Sequence, residues 1–144
     1  MVRITGAKAH SARLKRLRGA AMTREVGKAI KVAADLIEGE AENSITAGSS
    51  SGQVRGSKHA HTPSRPGEAP NNEFGDLIKG IVTAKTGPLS AEVRSEAPHA
   101  VPLEFGTSKM AERPYMRPAA ARTRPKAQAL VAAAVTRVVR GGTL

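Results

Sequence analysis

The chain has 144 residues, a formal charge of +11, no cysteine and only three aromatic side chains, Phe74, Phe105 and Tyr115. This length fits one domain, the missing cysteines exclude disulfides and thiolate metal sites, and no apolar run approaches the ~18 residues of a membrane span. The basic balance, with a sequence pI of about 10.9, favours acidic partners, nucleic acid foremost.

The apolar set is mostly alanine, so the isolated core is predicted to be thin, and a subunit interface is expected to supply further burial. The basic N-terminal stretch lacks the continuous apolar segment of a secretory signal, so none is expected. Val2–Thr5 reads as a short strand. From about Ala7 to Arg18, Leu14 and Leu17 stand at helical spacing with Arg13, Lys15, Arg16 and Arg18 between them. This predicts a short amphipathic helix whose basic face meets DNA or a partner. Gly19 breaks it. A longer helix is predicted from Ala20 to Asn43, with Met22, Val26, Ile30, Ala33, Ile37 and Ala41 on one face. Gly27 costs that helix about 1 kcal/mol relative to alanine. Glu38, Glu40 and Glu42 oppose the dipole near its end.

Residues 46–73 are rich in Gly, Ser and Pro and show no periodicity, so they are predicted to be a flexible loop, either one that orders against a neighbour or a surface loop without a role. A helical turn follows over Phe74–Lys79. Two antiparallel strands, Ile78–Lys85 and Ser90–Glu96, are joined by a turn at Thr86–Leu89. Val101–Phe105 reads as a third strand, with Pro102 marking an edge or a bulge. A helix begins near Pro118. Pro125 is expected to interrupt it, leaving a main segment from Lys126 to Arg140 with Leu130, Val131, Val135, Val138 and Val139 buried. Gly141-Gly142 stops it. The predicted fold is α+β: one domain over residues 1–144, with a small antiparallel sheet of three to four strands packed against a long N-terminal helix and a C-terminal helix.

The segment from Ala97 to Ala119 holds two of the three aromatics and four of the nine prolines. Pro114 and Pro118 each lock φ and remove a donor, and Gly106 permits a positive φ after the apolar run. The Leu103-Glu-Phe-Gly-Thr-Ser108 block, followed by Arg113-Pro-Tyr-Met-Arg-Pro-Ala119, resembles the small neck or tail-completion proteins of long-tailed bacteriophages. Pro66-Gly-Glu-Ala-Pro70 and the Gly75-Asp-Leu lead into a strand agree with that pattern. Tyr115 departs from it, standing where Phe is more usual. The resemblance implies a structural virion protein of the head–tail interface, assembled in the host cytoplasm as a ring, a hexamer by family expectation. Its partners would be the head-closure or connector protein and the tail-tube protein, with DNA passing through the lumen without sequence-specific binding. It implies no cofactor, no metal and no membrane.

Glu104, Phe105, Gly106, Thr107, Arg113, Pro114, Tyr115, Arg117 and Pro118 are the candidate residues for the turn that shapes subunit contacts. Glu104 is expected to pair with Arg113 or Arg117, in its own chain or a neighbour's, because an arginine fork matches a carboxylate bidentately. Phe105 and Tyr115 are expected as core anchors, being too few for a base-stacking platform. Catalytic constellations are absent from the sequence. His10, His59, His61 and His99 lack the spacing of a zinc site, Gly52–Lys58 lacks the spacing of a phosphate loop, and the carboxylates are scattered. The competing reading is a small basic nucleic-acid-binding module acting as a monomer or dimer, supported by the basic 8–18 stretch and opposed by the lack of a groove-reading motif.

Overall fold

A computed structural model describes residues 6–48, 62–72 and 75–141, together with Gly52 and Gly56. The short strand expected at Val2–Thr5, Phe74, Gly142 and most of the 46–61 stretch, His59 and His61 included, lie outside the described residues.

Helix α1 spans Ala7–Arg18 and α2 spans Ala20–Ala47, with Gly19 in extended conformation between them. Helix α2 thus runs on past Asn43 through Ile45, which is fully buried. The last helix, α5 (Met116–Val139), runs antiparallel to α2. Val26 and Ala29 near the start of α2 pack with Ala134 near the end of α5. Ala41 and Ile45 near the end of α2 pack with Tyr115 and Ala119 at the start of α5. Alanine lines this seam: Ala29, Ala33, Ala34, Ala41, Ala119 and Ala134 are all buried. Small side chains let the two backbones approach, so each residue contributes little apolar area.

A short helix, α3 (Asp76–Lys79), leads into strands β1 (Ile81–Gly87) and β2 (Ser90–Ser95). They pair antiparallel from Ile81 opposite Ser95 to Gly87 opposite Ser90, with an irregularity between Lys85 and Gly87. The hairpin lies on α2, and its turn fixes Gly27: a methyl group there would stand 2.5 Å from the Pro88 carbonyl oxygen. This glycine, read from the sequence as a helix weakener, is what permits the close approach.

The sheet has two strands rather than three or four. Val101–Phe105, expected as a strand, is instead helix α4, spanning Ala100–Phe105. Ala100 and Glu104, one helical turn apart, are its buried residues. Pro102 marks neither a strand edge nor a bulge. It sits in the first turn of α4, where its missing N–H has no intrahelical partner to lose.

Helix α5 spans Met116–Val139 and continues through Pro125. The expected interruption does not occur. Proline inside a helix costs about 3 kcal/mol, but here the ring faces solvent while Ala119 and Thr123 before it and Ala134 and Val138 after it are buried. Burial on both sides outweighs the local defect. The architecture is therefore α+β, with a two-stranded antiparallel sheet against a long N-terminal and a long C-terminal helix.

Candidate assembly interface

Helix α4 ends at Gly106, which has φ 74°. A side chain there would lie 2.8 Å from the Met110 carbonyl oxygen and 2.9 Å from the Glu112 nitrogen. Positive φ and lack of space both demand glycine. The chain then closes a small loop: Thr107 N–H donates to Met110 O at 2.7 Å, and Lys109 N–H donates to Thr107 Oγ1 at 3.2 Å. Residues 111–114 cross back to the start of α5.

Tyr115, the N-cap residue of α5, makes no side-chain cap. Glu104 supplies that function from 11 residues upstream. Its Oε2 accepts from the N–H groups of Tyr115 at 2.9 Å and Met116 at 3.0 Å. Its Oε1 accepts from Arg117 N–H at 2.9 Å and from Arg117 Nε at 3.0 Å. A carboxylate at a helix N-terminus meets orphan donors and the positive end of the dipole together. Glu104 is 5 % exposed, and its cover includes the half-exposed side chain of Arg117. Burial pushes its carboxyl up. The N–H groups of Tyr115, Arg117 and Met116, with the Arg117 guanidinium, outweigh burial and hold it below the ordinary 4.5.

Arg117 ties the junction together. Its Nη2 donates to the Glu104 backbone oxygen at 2.7 Å and to Glu112 Oε2 at 2.6 Å, and its guanidinium lies over the Phe105 ring at 5.0 Å. Glu104 therefore pairs with Arg117 of its own chain rather than a neighbour's. Arg113 is engaged elsewhere: its N–H donates to Leu103 O at 2.7 Å, and its Nε donates to Ser64 O at 3.1 Å. With Gly67 N–H on Glu112 O at 2.9 Å, this holds the 62–72 segment against the junction. Pro114 and Pro118 flank Tyr115, one in the connecting loop and the other in the first turn of α5, so both preset the path without forfeiting a helical bond.

The two aromatics part company here. Tyr115 is 1 % exposed and joins the core of Ile45, Leu77 and Ile81. Burial, together with the Glu104 charge, pushes its phenol up despite the opposing influence of the Ser95 hydroxyl. The two hydroxyls face each other closely enough for that influence, but their geometry is not a hydrogen bond, and both oxygens are buried without a partner. Phe105 is not the expected core anchor. It is 62 % exposed, and Val101 beside it on the outer face of α4 is 67 % exposed. The helical turn that buries Ala100 and Glu104 turns Val101 and Phe105 outward.

On the other side of Arg117 lies an open apolar groove of about 470 Å³, lined among others by Ile30, Ala34, Ile37, Val93, Met116 and Ala120. It is the space beyond β2 that a two-stranded sheet leaves uncovered on the helix pair.

The structure brings Glu104, Gly106, Arg113, Pro114, Tyr115, Arg117 and Pro118 together at this junction, while Phe105 faces outward beside it and Thr107 closes the small loop to Met110. Arg13, Lys15, Arg16 and Arg18 do not join it; they are exposed on α1, beside the far end of α5. The sequence reading missed Val101, Glu112 and Ser64. Val101 becomes visible once 100–105 is read as a helix, because it stands four residues from Phe105. Among the described residues no cluster of His, Asp or Glu could hold a metal, and no helix is long and apolar enough to cross a membrane.

No curated protein and no solved structure matches the chain. Residues 8–106, well over half of the sequence, match the family described as "Bacteriophage HK97-gp10, putative tail-component". The matched stretch runs from α1 through Gly106 and includes Glu104 and Phe105. The chain belongs to this HK97-gp10-like family of structural phage tail components.

Proposed function

We propose that this protein is a structural subunit of the phage head–tail interface, a neck or tail-completion protein that assembles as a ring and acts by geometry rather than by chemistry. Family membership supports a place among the structural proteins of the tail. The observation that carries self-assembly is Phe105. A large aromatic, 62 % exposed in a chain with three aromatics, is held rigid because Glu104, its neighbour in α4, is anchored by four hydrogen bonds to the start of α5. Clustered apolar surface on a rigid support is the usual mark of an interaction site. Val101 and Phe105 on one side of Arg117, and the groove on the other, make up the surface a neighbouring subunit covers. The single-domain organisation over 1–144 belongs to the same reading. So do the hexameric ring between head connector and tail tube and the passage of DNA through its lumen.

The test is the native mass of the parent chain and of the double variant Val101→Ser/Phe105→Ser. The parent is expected to form a closed ring, a multiple of the 15.0 kDa subunit. The double variant should remain a monomer with a melting temperature equivalent to within about 1 kcal/mol, as exposed substitutions usually are. A parent that is monomeric at every concentration, or a double variant that still closes, refutes the reading.

A further inference from the structure

The charge of this chain is segregated. No Asp or Glu occurs in residues 1–24 or 113–144, and each of these terminal stretches carries seven Lys and Arg. All twelve acids fall between Glu25 and Glu112, where there are nine cations. The fold then brings the two acid-free ends together, because α1 packs beside the C-terminal part of α5. Arg13 and Arg140 flank a cleft of about 480 Å³ whose floor is Val135, Thr136 and Val139. Arg16 reaches the end of α5, its Nη1 3.1 Å from where a side chain at Gly141 would begin.

Helix α1 is not held by a core. None of its residues is buried, and Leu14 and Leu17 are 45 % and 37 % exposed. Arg13 and Arg16 stand three residues apart, as do Lys15 and Arg18, and like charges at such spacing weaken a helix. Among the described residues no ion pair involves these four, Lys8, Arg137 or Arg140. Cations elsewhere do find acids: Arg122 pairs with Glu40 and Arg94 with Glu96. A self-repelling, weakly packed end whose described cations pair with none of the described acids is suited to an external polyanion.

We propose that this basic end, α1 with Arg137 and Arg140 of α5, binds the phosphate backbone of duplex DNA without reading sequence. Duplex DNA carries one charge per ~1.7 Å of axis, a density that a helix ~18 Å long can meet with several cations at once. The described part of this end has no aromatic to stack an unpaired base, which disfavours single strands. The site does not depend on ring formation; a monomer presents it equally.

The experiment is fluorescence anisotropy with a mixed-sequence duplex of about 30 base pairs across a salt series. The parent should bind with a log–log salt slope of about −3 to −5, and an unrelated duplex should bind within about twofold. Arg137→Glu/Arg140→Glu should lose at least about tenfold in affinity and flatten the slope by about two. Lys79→Glu/Lys85→Glu, with the same change in net charge on exposed positions at the sheet side, should lose less than about threefold. The α5 variant relieves repulsion but sets two anions at the C-terminal end of the helix dipole, so it should melt close to the parent, and the mass of each sample separates a binding effect from an assembly effect. Failure to bind at low salt, equal losses in the two double variants, or competition by polyglutamate as effective as by unlabelled duplex overturns the proposal; the last would assign the surface to an acidic protein.

Discussion

Replacing Glu104 by glutamine keeps the shape of the side chain and removes its charge. In the parent each carboxylate oxygen accepts twice: Oε2 from Tyr115 and Met116, Oε1 from the Arg117 amide and its Nε. Glutamine offers one carbonyl oxygen, and its NH2 must face two donors. Two hydrogen bonds to a charged group are lost, two donors at the start of α5 lose their acceptor, and the surviving pair weakens. Loss of a helix cap costs roughly 0.5–2 kcal/mol and a charged hydrogen bond about 1.5–3 kcal/mol. The exposure of about half of the Arg117 side chain pulls the total down, to about 2–4 kcal/mol. At this chain length that lowers the melting temperature by roughly 5–15 °C. The sequence alone, which allowed the arginine partner to come from another subunit, would have predicted a smaller effect on the monomer.

The pH dependence provides the sharper check. Since the folded carboxyl is held below 4.5, its contribution is complete above that value and is lost as pH falls through the folded value. The gap in unfolding free energy between parent and Glu104→Gln should be constant near neutrality and shrink on acidification below about 4.5, measured by urea titration on the monomer. A gap under about 0.5 kcal/mol at neutral pH, or one that does not change in acid, would refute the capping role.

Gly106→Val should cost about 1–3 kcal/mol or more, from positive φ together with contact on the Met110 and Glu112 backbone, read as a lower urea midpoint. Gly27→Ala should lose stability despite alanine's better helix propensity, by about 1–3 kcal/mol, because the methyl group meets the Pro88 carbonyl; a stabilised variant would show that the hairpin does not press on α2. Tyr115→Phe, which removes a buried hydroxyl without a hydrogen bond, should melt between the parent temperature and the equivalent of about 1 kcal/mol above it.

Much of this architecture is legible in the residues. The boundaries of α1, the start of α2 and the β1–β2 hairpin follow from spacing and from glycine, which act locally. Helix α4 was not legible, because Val101, Leu103 and Phe105 alternate like a strand. What makes the segment helical is the burial of Ala100 and Glu104, and Glu104 can be buried only because α5 begins where its carboxylate ends. That donor set is created by tertiary structure. The exposure of Phe105 follows from the same turn of helix, and so escaped a reading that equates a rare aromatic with a core. Pro125 misled for a related reason: its local cost is real, but packing of α5 against α2 on both sides decides the outcome. Gly27 was weighed by propensity, while its position answers to the approach of Pro88.

The surface around Phe105 can be probed directly because the chain has no cysteine of its own. Val101→Cys therefore places a single thiol on the exposed face of α4, where a short photoreactive label can be attached. Illuminated in the assembled state, the label should link one subunit to the next, and the cross-linked peptides should map to residues lining the groove beside Arg117. Illumination that yields only links within one chain, or label that stays solvent-exposed and unreacted in the assembled ring, would contradict the claim that this face is where subunits meet.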